Sequence, residues 1–170
     1  SNGADAQASA LKWFPYNKGG EFRRWYGNHD FVVNWANDGQ DIKRRKADDL
    51  AAGRITPNNS KCWNEKFYFE RSVNWSDVTT GKNSFRLSDG FLFDITAPSA
   101  FSNQNVTAWQ LLSFLNSRLC EKLNRVLNPT LHFNVGNLRN LPAAFIGTSF
   151  QNKQIQFLVE MSKADWDSFE

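Results

Sequence analysis

Few residues in this sequence are suited to acid–base, nucleophilic or metal chemistry, and they are not spaced for it. His29 falls in a predicted turn and His132 in an apolar stretch, so neither is placed to activate a nucleophile. Glu65, Asp94 and Glu121 lack the close spacing that a magnesium-dependent nuclease site requires. The 170 residues therefore predict no catalytic site and no metal site.

Basic side chains are instead grouped in ways that suit phosphate binding. Lysine and arginine neutralise phosphates, while Asn, Ser and Thr side chains hydrogen-bond to phosphates or to bases. The run KRRK (Lys43–Lys46) supplies four cations, although such a run is also typical of a solvated helix face. The residues predicted to contact DNA are Lys18, Arg23, Arg24, Lys43, Arg44, Arg45, Lys46, Arg71, Asn74, Ser76, Thr79, Thr80, Lys82, Asn83 and Arg86.

The segment RSVNWSDVTTGKNSFR (Arg71–Arg86) is the most specific of these groups. It is polar, rich in hydroxyl groups and contains Gly81 and Lys82 near its end. Such a loop can place backbone N–H groups and a lysine on a phosphate, or side chains in a DNA groove. The same composition also fits an ordinary connection between strands with Trp75 in the core, and composition alone leaves both interpretations open.

The overall composition is that of a folded protein with a weakly basic surface. Hydrophobic residues make up 41% and aromatic residues 15%, which excludes a disordered chain. A formal charge of +3 permits a polyanionic partner without requiring one. Cys62 and Cys120 have no metal-type spacing and predict free thiols in a reducing compartment. Without a membrane-length apolar run or a secretory signal, the sequence predicts a cytoplasmic protein.

The elements that must position the basic groups are mainly strands in the first two thirds of the chain. Phe22–Tyr26 and Phe31–Trp35 flank the turn residues GNHD and predict a β-hairpin. Residues 40–52 predict a surface helix that ends at Gly53. Further extended segments are predicted at Phe67–Glu70, Ser84–Leu87 and Phe91–Ile95.

The last third is predicted to be mainly helical. Apolar residues at steps of three and four predict one long helix to about Leu127, capped by Asn105 or Thr107. It ends before Pro129, and a short extended piece, LHFNVG, follows. A second helical pattern runs from about Thr148 to the end of the sequence. The fold class predicted is α/β (α+β), with a mostly antiparallel twisted sheet, a long packed helix and a C-terminal helix.

Methyltransferase motifs are absent, yet the order of several blocks is informative. There is no glycine-rich cofactor loop, and NPTL (Asn128–Leu131) keeps only two positions of the Asn-Pro-Pro-aromatic tetrad that holds a flipped base. Four blocks nevertheless occur in an ordered series: KWFPYNKGGEFRRWYGNHDFVVNWANDG, WSDVTTGKNSFRLSDGFLFD, LLSFLNSRLCEKLNRVLNPTLHFNVGNLRNLP and SKADWDSFE. Together they resemble the C-terminal specificity region of large single-chain bacterial adenine methyltransferases, of the BREX phage-defence and type IIG restriction-modification groups.

This resemblance implies a target recognition domain, which reads a short double-stranded DNA sequence in the major groove. It implies that a separate, covalently linked domain binds S-adenosylmethionine and methylates the adenine, so that this segment needs no cofactor and is not itself an enzyme. Residues 1–11 are predicted to be a tag remnant and linker, 12–147 the recognition domain, and 148–170 the start of a truncated helical spacer. Other defence proteins are further expected partners, and a membrane is not.

Two alternatives stay open. The chain could be a protein-interaction module of a defence complex, with little affinity for DNA. It could also be a half-specificity domain of a type I restriction enzyme, in which the methyltransferase is a separate chain. An in-frame Asn-Pro-Pro-aromatic motif upstream would favour the single-chain enzyme.

Overall fold

The computed structural model describes residues 6, 8–79, 81–128, 130–142 and 149–169. Its strands form two three-stranded sheets, and most of its helices follow them in sequence. The strands are β1 (Trp13–Asn17), β2 (Val32–Asn34), β3 (Ser72–Trp75), β4 (Phe85–Ser88), β5 (Leu92–Phe93) and β6 (Ser99–Phe101). The helices are α1 (Ala36–Ala51), α2 (Ala108–Leu115), α3 (Arg118–Leu127), α4 (Val135–Arg139) and α5 (Ser149–Asp167). The predicted α+β class is confirmed.

The first sheet has the order β2-β1-β5 and corrects the predicted hairpin. Strand β2 forms as expected, but its antiparallel partner is β1, with Phe14 opposite Val33. Strand β5 joins β1 in parallel. Phe22–Tyr26 forms no strand, and within it Trp25 (φ 75°) makes only an isolated parallel bridge to Arg86 of β4.

The second sheet has the order β4-β3-β6, and all its pairs are antiparallel. The predicted strand near Ser84–Leu87 is confirmed as β4. The predicted extended segment Phe67–Glu70 is wrong, because a 3₁₀ turn (Glu65–Phe67) precedes Phe69, which has a φ of 67°. Strands β3 and β4 pair over their full lengths, which brings the two ends of the polar segment 71–86 together.

Helix α1 agrees closely with its prediction. Asn37, Asp38 and Gly39 are left-handed, so the regular helix begins at residue 40. Gly53, with a φ of 68°, follows the helix where a left-handed cap was expected.

The predicted long helix is instead two helices, α2 and α3, that break at Asn116 and Ser117. Thr107 caps α2 through a capping box with Gln110. The Ser117 hydroxyl accepts from the amide of Cys120 and starts α3. Asn116 is buried, and its amide group bonds both the N–H and the C=O of Phe85, so the break attaches the helices to β4.

The larger core lies between the second sheet and helices α2, α3 and α5. Trp75, Phe85 and Phe133 pack edge to face at its centre, and Ile155 and Val159 bring α5 onto it. A smaller core surrounds Phe14, Trp35, Tyr68, Phe69 and Leu92 against the first sheet. No helix among the described residues is long and apolar enough to cross a bilayer. The domain division at residue 148 remains a prediction.

Candidate nucleic-acid interface

The four cations of the KRRK run on α1 all have partners on the same surface. Lys43 lies 2.7 Å from each of two carboxylates, those of Asp38 and Glu65. The remaining pairs are Arg44 with Asp41, Arg45 with Asp49, and Lys46 with the carbonyl oxygens of Asn59 and Lys61. This helix therefore carries little uncompensated positive charge.

Three further predicted cations are each matched by one carboxylate. The pairs are Lys18 with Asp94 at 3.5 Å, Arg23 with Asp165 at 3.0 Å, and Arg71 with Asp89 at 2.6 Å. Arg23 also lies over the Trp166 ring, which ties the loop before β2 to the end of α5. These contacts explain the three cations as parts of the fold.

Asn74 on β3 and Arg86 on β4 lie opposite each other and are both buried. This corrects their predicted surface position. The Arg86 guanidinium donates to Asn74 Oδ1 at 3.2 Å and to the hydroxyls of Ser84 and Ser76 at 3.4 Å. Burial lowers the pKa of Arg86 to about 10, so the group is still a cation at neutral pH. Contact with DNA requires an exposed position that neither residue has.

The hydroxyls of the polar segment bond to backbone groups, both within the segment and in the loop between β1 and β2. Ser76 Oγ donates to the carbonyl of Gly20, and Thr79 Oγ1 accepts from the amide of Gly81. Thr80 lies outside the described residues. The segment thus presents Lys82 and Asn83 from a loop fixed at both ends by β3 and β4.

Positive charge is in surplus around one carboxylate, that of Glu121 on α3. Arg125 Nη2 lies 2.9 Å from it, Lys82 Nζ 3.2 Å and Arg24 Nη2 3.7 Å. A hydrogen bond from Lys82, with the neighbouring arginines, lowers the pKa of Glu121, which keeps the carboxylate ionised. We call these four residues the Glu121 cluster, and their net formal charge is positive by two.

Helix α3 extends this surplus along its exposed side. Arg118, Lys122 and Arg125 follow at steps of four and three, which places them on one helix face. All three are exposed, and no described carboxylate lies within 4 Å of Arg118 or Lys122. We call these three residues the basic face of α3. These three residues were not among the predicted DNA contacts, although their spacing is visible in the predicted helix.

A cavity of about 300 Å³ opens beside the Glu121 cluster. It is lined by Lys82 and Asn83, by Asn124 and Arg125 of α3, and by Phe85 and Phe133, whose side chains are almost wholly buried. The loop 81–83 and α3 therefore form a continuous cationic surface.

Two curated proteins match nearly the whole chain. It is 41% identical over 159 residues to the adenine-specific methyltransferase PglX of Lacticaseibacillus casei (strain Zhang), covering 93% of this chain. It is 32% identical over 166 residues to the adenine-specific methyltransferase BrxX of Escherichia coli O9:H4 (strain HS), covering 94% of this chain. The chain is a homologue of one segment of these adenine-specific methyltransferases. The resemblance to BREX-type adenine methyltransferases is thereby confirmed.

The matched segment is a small part of the two relatives. The chain spans 13% of the length of PglX and 12% of the length of BrxX. No family model matches the chain. The homology therefore relates the chain to a region of these methyltransferases, while the task of that region has to be argued from its own surface.

Proposed function

We propose that this chain is a double-stranded DNA recognition module of an adenine-specific methyltransferase that acts in phage defence. The observation that carries the proposal is the surplus of positive charge on the basic face of α3 and in the Glu121 cluster. Arg24, Lys82, Arg118, Lys122 and Arg125 supply five positive charges there, against the single carboxylate of Glu121.

An unpaired cation is worth more to a polyanion than a paired one. A cation that neutralises a phosphate releases a condensed counterion, which favours binding. A lysine already in contact with two carboxylates, as Lys43 is, must lose those contacts first. This difference favours α3 over α1 as the DNA-binding helix, although α1 has the more conspicuous basic sequence.

The shape of α3 also suits a duplex. An α-helix with its side chains is about 10–12 Å across, and the major groove of B-DNA is about 12 Å wide. Arginine and lysine on such a helix pair with guanine, and asparagine pairs with adenine. We assign base contacts to the basic face of α3 and phosphate contacts to Lys82 and Arg24.

In the longer protein, we propose, a linked domain binds S-adenosylmethionine and methylates the adenine while this segment selects the site. The module itself then needs no catalytic residue. The cytoplasmic location, the spacer role of residues 148–170 and further defence partners belong to the same proposal. It is supported by the similarity to PglX and BrxX, which are described as adenine-specific methyltransferases, and by the small fraction of their length that this chain spans.

Two double variants with the same charge change test the proposal. The first, Lys122→Ala with Arg125→Ala, removes two cations from the basic face of α3. The second, Arg44→Ala with Arg45→Ala, removes two paired cations from α1 and serves as the control. Fluorescence anisotropy against random duplex DNA at low salt should show about tenfold weaker binding for the first and little change for the second.

Each alternative predicts a different result. If both double variants lose the same amount of duplex affinity, only the total charge matters. That result would argue against α3 as part of the interface. Absence of duplex binding at low salt, in this chain and in the full-length protein, would favour the protein-interaction module. A type I half-specificity domain would bind duplex DNA but would be encoded without a methyltransferase in the same chain.

A further inference from the structure

The exposed side of α3 carries two large apolar side chains beside its cations. Val126 is 81% exposed and Leu119 is 56% exposed, although Cys120 on the same helix is buried. Lys122 lies three residues after Leu119 and four before Val126, so these three side chains share one helix face. We call Leu119 and Val126 the apolar flank of α3.

The apolar flank adjoins the basic face of α3 and does not interrupt it. At about 100° per residue, Arg118 and Arg125 lie on one side of Lys122. Leu119 and Val126 lie on its other side. All five residues are exposed, and together they cover about a third of the helix circumference. A partner that contacts this side of α3 therefore meets cations and apolar side chains next to each other.

The neighbouring charges distinguish the apolar flank from ordinary exposed apolar residues. Single apolar side chains are common on protein surfaces and need no partner. Here the two residues share a face with Arg118 and Lys122, and no described carboxylate lies within 4 Å of either cation. The major groove of DNA offers both kinds of partner, because phosphates line it and each thymine presents a C5-methyl group in it.

The spacing of the apolar flank also matches that of base pairs. Seven residues of an α-helix rise about 10 Å, and three base-pair steps rise about the same distance. A helix that lies along the groove thus brings Leu119 and Val126 to base pairs three steps apart.

We propose that the apolar flank of α3 contacts the C5-methyl groups of thymine, so that this part of the helix selects A·T pairs. The inference rests on the proposed function and adds to it the class of base pair that is read. Lys122 and the two arginines supply affinity for phosphate and guanine, whereas Leu119 and Val126 supply discrimination through apolar contact.

A pair of duplexes that differ only in these methyl groups tests the proposal. A duplex enriched from a random pool on the 170-residue chain is made once with thymine and once with uracil in its place. Fluorescence anisotropy should show at least about fourfold tighter binding of the thymine duplex, as for one buried methyl group. Both duplexes carry the same phosphates, so the electrostatic part of binding cancels in the ratio of affinities.

Serine variants assign the preference to the apolar flank. Val126→Ser should lower the ratio by a factor of about four, because serine loses the apolar contact while its helix propensity is similar to that of valine. Leu119→Ser should lower it in the same way. Ile95→Ser is the matched control, since Ile95 is also 81% exposed but belongs to the turn after β5. None of these variants removes a charge, so the salt dependence of binding should stay the same.

A ratio near one for the wild type, or a ratio that survives both serine substitutions, would overturn the proposal. Enrichment of a duplex without A·T pairs would overturn it as well. If the thymine and uracil duplexes bind equally while binding still depends on Lys122 and Arg125, the methyl contact is wrong and the proposed function stands. Absence of any duplex binding at low salt would overturn the proposed function and the methyl contact with it.

Discussion

Arg86 is a buried cation whose hydrogen-bond partners are all neutral. Its guanidinium contacts Asn74, Ser84 and Ser76, and no described carboxylate lies within 4 Å of it. A buried charge is tolerated only where hydrogen bonds replace its lost hydration. The network that surrounds Arg86 is therefore a requirement of the fold, and it fixes β3 against β4 beneath the loop that carries Lys82.

Replacing Asn74 by alanine should destabilise the protein by about 2–4 kcal/mol, because the buried guanidinium of Arg86 would lose a hydrogen-bond acceptor. Asn74 Oδ1 accepts from Arg86, and its amide nitrogen donates to Ser88 Oγ at 2.6 Å. Urea unfolding followed by tryptophan fluorescence measures the change. Asn105→Ala in an exposed loop is the control, and a loss below about 1 kcal/mol at Asn74 would show that water or neighbouring groups take over its bonds.

Because His29 is largely buried, we expect the protein to become less stable as the pH falls. Burial, helped by the positive charges of Arg86 and Lys163, lowers the pKa of His29 from 6.5 to about 4. The folded state thus favours the neutral ring, so this contribution to stability is complete above pH 6.5 and is lost as the pH falls toward 4. At pH 5 the loss should be about 2 kcal/mol.

The His29→Gln variant isolates this contribution from the other titrating groups. We expect the difference in unfolding free energy between the wild type and His29→Gln to shrink by about 2 kcal/mol from pH 7 to pH 5. Urea titrations at several pH values measure it. A difference that stays constant with pH would mean that the ring is hydrated in the folded state, despite its contacts with Tyr26 and Phe91.

At the scale of elements, the break between α2 and α3 decides where the basic face points. Asn116 bonds both backbone groups of Phe85, at 3.2 and 2.9 Å, and so acts as a short extension of the sheet. Ser117 then begins a new helix with its own cap. The break therefore sets the direction of α3 relative to β4 and to the Lys82 loop.

Asn116→Ala should destabilise the protein by about 2–4 kcal/mol although alanine is the better helix former. The cost arises because the buried N–H of Phe85 loses its acceptor and the C=O of Phe85 keeps only the amide of Trp25 as a donor. Ser117→Ala, which removes only a helix cap, should cost about 1 kcal/mol. Urea unfolding of both variants tests whether Asn116→Ala costs more stability than Ser117→Ala. An Asn116→Ala variant as stable as the wild type would show that the fold tolerates one continuous helix in place of α2 and α3.

The sequence predicted the elements that depend on local patterns and missed those that depend on distant partners. Helix α1, the Thr107 cap and strand β4 all follow from adjacent residues. The pairing of β1 with β5 does not, because Tyr16 and Leu92 lie far apart in the sequence. The helix break at Asn116 was missed for the same reason, since its cause is a bond to Phe85.

The candidate site shows the same division. The KRRK run is obvious in the sequence, but its carboxylate partners become visible only when α1 is folded against Glu65. Glu121 gathers cations from three separate segments, which no local pattern indicates. The basic face of α3 is the exception, because its helical spacing was present in the sequence from the start.

At the scale of the whole molecule, DNA binding could depend on a local surplus of positive charge or on the total charge, and the two dependences lead to different predictions. The formal charge is only +3, and the predicted DNA contacts Lys18, Arg23 and Arg71 are each paired with one carboxylate. If local surplus decides DNA binding, two variants that each lower the total charge by one should differ. Arg118 has no described carboxylate partner, whereas Lys18 lies 3.5 Å from Asp94, which makes these two residues a matched pair.

Each cation that neutralises a phosphate contributes about 0.9 to the slope of log K against log salt concentration. Arg118→Gln should therefore reduce the magnitude of the slope by about 1, and Lys18→Gln should leave it nearly unchanged. Anisotropy titrations with duplex DNA at several salt concentrations measure both slopes. Equal reductions would show that the duplex responds to total charge, whereas a loss confined to Lys18→Gln would place the duplex around Lys18, beside the ends of β1 and β5. The predicted difference requires that the helix break, the Lys82 loop and α3 hold the cations together on one surface.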